Sequence, residues 1–240
     1  MVAHAYSGTA ANATLPPMRF DAVIVAAGSS TRFGAADKLM ADLHGRPVLA
    51  WSLAAFAAAD GLGRLVVVCA PGREGEFAGL CAKWSPGSDV RVVAGGARRR
   101  DSVEAGLRAC RERYVAIHDG ARPMVTPALI RRVVEAAAAG AGAIAATPVT
   151  DTIKQVDSGR ITAHPDRHRL WAAQTPQVVL RQAWLDAAAM SDNDETDDAA
   201  MLSRLGLECA VVDAGTENLK VTRPIDIDVA ARILAEREQE

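Results

Sequence analysis

A chain of 240 residues, half of them hydrophobic and 23% charged, has room for a sizeable core in one large domain or two small ones, and lies outside the disordered and charged-tail classes. Its 27 Lys plus Arg against 29 Asp plus Glu give a net charge of -2, which excludes the basic excess of a general nucleic-acid binder. Any polyanion must therefore be held by a local group of cations.

The first eighteen residues are small and polar, carry no Lys or Arg, and end near Pro16-Pro17. They lack the features of a signal or transit peptide and are expected to be a disordered leader, with one domain over 19–240. From Arg19 onward, short β-branched runs alternate with Ala/Leu-rich stretches. The strands are predicted at 20–26, 65–69, 90–93, 114–118, 143–147 and 209–212, and the helices at 48–59, 74–83, 102–112, 127–139, 181–190, 197–205 and 225–236. That alternation predicts an α/β fold, a single doubly wound Rossmann-like domain with a mostly parallel sheet. The pattern runs to the end of the chain, so no second enzymatic domain is expected. The exception is 151–174, where two alternating runs flank Asp157-Ser158-Gly159. This predicts a two-stranded hairpin, a protruding β-arm that needs a surface to cover it, most simply a second copy of the chain. The stretch 136–149 is too weakly apolar and too broken by Gly and Pro to span a bilayer, so no membrane anchor is expected. Four scattered cysteines without a C-x-x-C pair fit a reducing, cytoplasmic setting.

Three strand-end loops carry chemistry. After the first strand comes Ala26-Ala27-Gly28-Ser29-Ser30-Thr31-Arg32, then Asp37-Lys38. Small residues let backbone N–H groups approach phosphate oxygens, and Arg32 and Lys38 add two cations to the same loop. The glycine spacing matches neither the dinucleotide fingerprint nor the phosphate loop ending in Gly-Lys-Ser/Thr. An ordinary strand-to-helix turn accounts for the glycine alone, but strand, small residues and two cations together point to nucleotide phosphates. Only Lys38, Lys83, Lys154 and Lys220 are lysines in an Arg-rich chain. Lys38 and Lys220 occupy turns at strand ends, where ligands bind in open α/β sheets, whereas Lys83 reads as plain surface.

The second loop is Gly95-Gly96-Ala97-Arg98-Arg99-Arg100-Asp101-Ser102, in which Ser102 or Asp101 can cap a helix and the N–H groups suit a base or ribose edge. Its plain alternative is a capped helix with three solvated arginines. The third is His118-Asp119-Gly120-Ala121-Arg122-Pro123, where Asp119 and Arg122 can take a metal and a phosphate or simply pair. His118 reads as structural rather than catalytic. Asp151-Thr152 enters the arm and Asp166-Arg167 leaves it, and the acidic run 192–198 reads as the solvated start of a helix.

The ordered set Ala-Ala-Gly-x-x-x-Arg, Lys38, Gly-Gly-x-x-Arg-x-x-Ser-Val, His-Asp-Gly-Ala-Arg-Pro, Asp-Thr-x-Lys, Asp-Arg-x-x-Leu-Trp-x-x-Gln-Thr-Pro-Gln and Asn-Leu-Lys-Val-Thr-Arg-Pro resembles the 2-C-methyl-D-erythritol 4-phosphate cytidylyltransferases, from Phe20 to about Ala231. Two positions depart from that pattern: Asp37 stands where Pro is expected, and Ala97 replaces an acidic residue of some members. The resemblance implies a homodimeric enzyme of the non-mevalonate isoprenoid route with an exchanged β-arm, using CTP, a polyol phosphate and Mg²⁺. It implies that Arg32 and Lys38 stabilise the transition state on the α-phosphate of CTP, and that Arg167 and Lys220 position the substrate phosphate. Ala26, Ala27 and Gly28 would approach the nucleotide phosphates, while Gly95, Gly96 and Ser102 would read cytosine and ribose. Asp119, Arg122 and Thr152 would line the sugar-phosphate site, with Asp119 as the protein ligand of the metal.

The implied chemistry is in-line attack by a phosphate monoester, already anionic because its second pKa is about 6, so positioning and charge neutralisation replace a general base. Three rivals share less of the pattern. A ribitol 5-phosphate cytidylyltransferase would differ around Asp119, Arg122 and the arm, a molybdopterin nucleotidyltransferase would share only Asp37-Lys38, and a catalytically dead nucleotide-binding regulator would not need the full set of cations.

Overall fold

The structure, a computed structural model, describes residues 17–28, 33, 37–190 and 193–238. All but the last two residues of the expected leader lie outside these, as does Arg32.

Strand β1 (Phe20–Ala26) lies inside a seven-stranded sheet, with β4 (Leu62–Cys69) and then the edge strand β5 (Asp89–Ala94) on one side. On the other side follow β6 (Tyr114–Asp119), β10 (Trp171–Leu180), β7 (Gly142–Pro148) and β11 (Cys209–Asp213). All neighbours are parallel except β10, which runs antiparallel to both β6 and β7. The chain order reverses about β1, running outward through β4 and β5 and then crossing to β6, and its two parallel neighbours, β4 and β6, leave a crevice at their carboxyl ends.

The period-two alternation of the strands sorts the helices into two layers. Ala22 and Ile24 face a core with Leu49, Leu53 and Phe56 of α1 (Val48–Ala57), Phe77 of α2 (Glu74–Trp84) and Ile130 and Val133 of α4 (Pro127–Ala138). Val23 faces the opposite core, with Val103 and Leu107 of α3 (Arg99–Ala109), Trp184 of α5 (Arg181–Met190) and Leu202 of α6 (Asp198–Ser203). Thr126 caps α4 by accepting from the Leu129 N–H at 3.1 Å, with Pro127 at the first helical position. A small third cluster seats α7 (Ile225–Arg237) on Val48, Met124 and Val221 through Ala230 and Leu234.

Two features correct the sequence reading. A short hairpin, β2 (Asp42–Leu43) and β3 (Arg46–Pro47), has no counterpart in it. The arm is shorter than 151–174: β8 (Gln155–Asp157) and β9 (Arg160–Ala163) form the hairpin, but Trp171 to Gln174 belong to β10 of the main sheet. The predicted turn holds, with Ser158 at φ 48° and Gly159 at φ 77°, the left-handed pair a two-residue hairpin loop requires.

Candidate active site

The parallel register brings the three loops together. Val25 lies beside Asp119 and Ala26 beside Cys69, which in turn pairs with Ala94, so the chain leaves β1, β5 and β6 at one edge of the sheet. There a cleft of about 360 Å³ is lined by Ala26, Ala27, Gly28, Lys38, Gly96, Arg98, Arg99, Ser102, Asp119 and Lys220, among others. A second cleft, of about 250 Å³, adjoins it and adds Arg122, Gln174, Thr175, Gln177 and Thr196. Arg99, Asp119 and Lys220 line both.

The glycine loop is close-packed. A Cβ on Gly95 would lie 2.6 Å from both the Ala27 Cβ and the Ser102 Oγ, and one on Gly96 would collide with Asp101. Ser102, expected as a possible cap, is instead buried inside α3: its Oγ accepts from the Gly96 N–H and donates to the Arg98 carbonyl, both at 3.2 Å. Asp101 performs the capping, accepting from the Arg98 N–H at 3.1 Å. The adjoining arginines are not simply solvated. Arg98 pairs with Asp101 at 2.7 Å and Arg99 with Asp198 at 2.7 Å, while Arg100 donates to the Asn193 carbonyl at 3.1 Å. The acidic run is corrected likewise, because Asp198 is buried, and Asp197 caps α6 by accepting from the Ala200 N–H at 2.9 Å. Asp192 lies outside the described residues.

Asp119 is the electrostatic centre. Its Oδ2 accepts from Lys220 Nζ at 2.7 Å, and Arg122 Nε and Arg99 Nε stand 3.9 and 3.8 Å from its carboxylate oxygens. Burial alone would raise its pKa, but Lys220, Arg99 and Arg122 outweigh it and hold the carboxyl at about 2. Of the two alternatives foreseen for Asp119 and Arg122, the geometry shows the pairing, a near pair that still lines the second cleft.

Asp119 and Arg122 are held from behind by residues the sequence reading did not assign. The Asp119 N–H donates to Thr175 Oγ1 at 3.0 Å, and the Thr175 hydroxyl donates to His118 Nδ1 at 3.1 Å. The opposite ring nitrogen of His118 then donates to the Arg122 carbonyl at 3.1 Å, which fixes its tautomer. Burial pushes the His118 pKa down to about 4, so the ring is neutral and structural, as its place in the sequence suggests. Arg122 Nη1 reaches the Asn218 carbonyl at 2.8 Å, and Asn218 Nδ2 donates to Gln174 Oε1 and the Thr175 carbonyl at 2.8 and 2.9 Å. The Val221 N–H donates to the Ala121 carbonyl at 2.8 Å, so the turn carrying Lys220 is tied to the Asp119 loop.

Next to Lys38 in the chain, Asp37 accepts from the Leu39 N–H at 2.9 Å and pairs with Arg73, which also pairs with Glu76 at 2.7 Å. This Asp shapes the turn bearing Lys38. Thr152 and Arg167 are exposed and line neither cleft, and Arg167 Nη1 donates to the Thr150 carbonyl at 2.8 Å beside the 3-10 turn Arg167–Arg169.

Comparison with known proteins decides between the rivals. The family model IspD, 2-C-methyl-D-erythritol 4-phosphate cytidylyltransferase, matches residues 20–236. The chain belongs to this family. A Synechococcus sp. (strain WH7803) protein of that name is 47% identical over 223 residues, spanning 90% of this chain and 99% of its own. One from Prochlorococcus marinus (strain MIT 9313) is 46% identical over 223 residues, with 90% and 98% covered. Among solved structures, the 4-diphosphocytidyl-2C-methyl-D-erythritol synthase of Anaerococcus prevotii aligns with a TM-score of 0.80 at 25% identity, over 91% of this chain and 97% of that one. The Thermus thermophilus cytidylyltransferase aligns at 0.73 and 29%, over 90% and 98%.

Proposed function

We infer that the protein transfers the cytidylyl group of CTP to 2-C-methyl-D-erythritol 4-phosphate, forming 4-diphosphocytidyl-2-C-methyl-D-erythritol and pyrophosphate. The observation that carries this reading is the meeting, in two joined clefts, of the small-residue loop, the glycine loop and the Arg99–Asp119–Lys220 triad in a chain matched by the family over 20–236. Cleft residues Ala26, Ala27, Gly28, Gly96 and Ser102, together with Gly95 packed against Ala27 and Ser102, are assigned to CTP, their N–H groups approaching phosphate, ribose and base. Lys38 and Arg32, the latter outside the described residues, neutralise the charge that develops on the α-phosphate. Lys220 and Arg167 orient the incoming phosphate, and Asp119, Arg122 and Thr152 line its sugar.

No general base is required, since the phosphate monoester is anionic near neutral pH, and the protein contributes alignment and fixed positive charge. Among the described residues no three His, Cys, Asp or Glu side chains converge on a common point. A Mg²⁺ ion carried on the phosphates of CTP needs only one protein ligand, and the ionised Asp119 carboxylate has the right chemistry for it. When bound, that ion supplies charge neutralisation.

We further assign the protein to a homodimer with exchanged arms. Nearly every residue of β8 and β9 is exposed, with Val156 at 57% and Ile161 at 56%, an apolar face that a lone hairpin leaves in water. Thr152 and Arg167 flank this hairpin, outside their own chain's clefts, where a partner's cleft would receive them. The four cysteines are free thiols, in keeping with a cytoplasmic setting, and no described helix is long and apolar enough to cross a membrane. Incubating the purified protein with CTP, Mg²⁺ and either 2-C-methyl-D-erythritol 4-phosphate or ribitol 5-phosphate, and measuring pyrophosphate, tests the activity. A higher kcat/KM for ribitol 5-phosphate overturns it.

A further inference from the structure

Asp119 is surrounded by three cations yet engaged closely by one. Lys220 takes Oδ2 at 2.7 Å, whereas Arg99 Nε, nearest to Oδ1, stops at 3.8 Å, beyond hydrogen-bond distance. A guanidinium next to an ionised carboxylate normally closes to a direct, often bidentate pair. What restrains Arg99 is visible on its far side. Its Nη2 donates to Asp198 Oδ2 at 2.7 Å, and that carboxylate is almost fully buried. Asp198 is itself built in: its Oδ1 accepts from Trp184 Nε1 at 3.2 Å, and its N–H donates to Gln177 Oε1 at 2.9 Å. Gln177 then anchors to β10 by donating to the Gln174 carbonyl at 3.1 Å. A buried carboxylate is costly to keep and strongly holds the cation that compensates it.

We propose that Asp198 is a positioning residue for the cytidylyl transfer: it draws Arg99 away from Asp119 and so leaves Asp119 Oδ1 open to accept a hydroxyl of the polyol phosphate. The assignment rests on the cytidylyltransferase reading above. Arg99 and Asp119 line both clefts, so the state of this pair is felt where the polyol phosphate binds. A carboxylate offers about four acceptor positions, so an Oδ1 free of Arg99 can serve the hydroxyl while the carboxylate still faces a phosphate-borne cation.

Asp198→Asn separates this role from a merely structural one. The amide oxygen still accepts from Trp184, but the NH₂ turned toward Arg99 cannot accept, so the guanidinium is released to close on Asp119. The expected result is a KM for 2-C-methyl-D-erythritol 4-phosphate raised about tenfold, the effect of one lost hydrogen bond to a charged group, with the KM for CTP and the Tm near wild type. Adding Arg99→Met to that variant removes the competing cation and should lower the polyol phosphate KM below that of Asp198→Asn alone. An unchanged polyol phosphate KM in Asp198→Asn overturns the proposal. So does a parallel rise of both KM values with a lowered Tm, or a double variant no better than the single. Wild-type protein that fails to release pyrophosphate from CTP with this substrate would refute the enzymatic reading itself, independently of the variants.

Discussion

His118 makes the fold acid-sensitive in a way that can be calculated. The imidazole is fully buried, accepts from Thr175 and donates to the Arg122 carbonyl, and its pKa is lowered by burial to about 4 from the usual 6.5. A base whose folded pKa is depressed binds more protons when unfolded. Its stabilising contribution is therefore complete above pH 6.5 and is lost as the pH falls toward 4. Between pH 7.5 and 4.5 a shift of that size removes about 2.5 kcal/mol, or about 5–10 °C in Tm for a chain of this length. Asp198, whose pKa burial raises, acts in the opposite sense as it takes up its proton, so the absolute acid profile is a composite. The difference between variants isolates the histidine. His118→Asn keeps an acceptor for the Thr175 hydroxyl, loses the reach to the Arg122 carbonyl, and cannot become charged. Urea unfolding at fixed protein concentration should show the variant less stable than wild type at pH 7.5, with the gap closing by about 2.5 kcal/mol at pH 4.5. A gap that stays constant across this range would refute the assignment of the pH dependence to His118.

Lys38→Ala should lower kcat by about 10²-fold or more with a smaller change in the KM for CTP, because the charge it meets grows only in the transition state; steady-state kinetics showing only a raised KM would make it a ground-state binder. Gly95→Ala forces a methyl against Ala27 and Ser102 and should weaken CTP binding about tenfold or more by calorimetry, with the polyol phosphate site less affected. Mixing Arg167→Ala chains with Lys38→Ala chains should restore about a quarter of wild-type activity, since half the randomly assorted dimers are mixed and one of their two sites carries neither lesion. No recovery, in a mixture shown by mass spectrometry to contain heterodimers, would place Arg167 in its own chain's site.

Much of this architecture was legible because it depends on local pattern. β1 and α5 match the predicted limits residue for residue, the Ser158-Gly159 turn falls in place, and the three strand-end loops meet as a parallel sheet requires. The observed α3, Arg99–Ala109, starts before the predicted 102–112 because Asp101 and Ser102 offer equivalent capping chemistry in sequence, and only packing shows that Ser102 turns inward to the glycine loop. In sequence Asp198 looks solvated, because acidic residues at a helix start usually are. Its burial depends on Arg99, ninety-nine positions earlier, and on Trp184, neither of which its neighbours announce.

The least legible element, β10, is the one on which the site depends most. Its sequence, Trp171 to Leu180, contains Gln174, Thr175, Pro176 and Gln177, a polar interruption that argues against a central strand. Yet β10 lies between β6 and β7, with its register to β7 broken between Ala173 and Gln177. That irregular stretch is where strand pairing yields to side-chain work: Thr175 takes the Asp119 N–H, Gln174 takes Asn218, and Gln177 takes the backbone of Asp198. Because β10 is antiparallel to β6, its start, not its end, stands beside the carboxyl end of β6. A parallel strand there would present its final residues and a loop. The antiparallel one brings in the chain directly from the arm, so the covalent path from Arg167 to Thr175 is only eight residues long. In the homodimer proposed above, the surface that receives the arm is thereby coupled to the groups that orient Asp119 and Arg122, which would give a chain of net charge -2 a physical reason to concentrate its cations at this edge of the sheet.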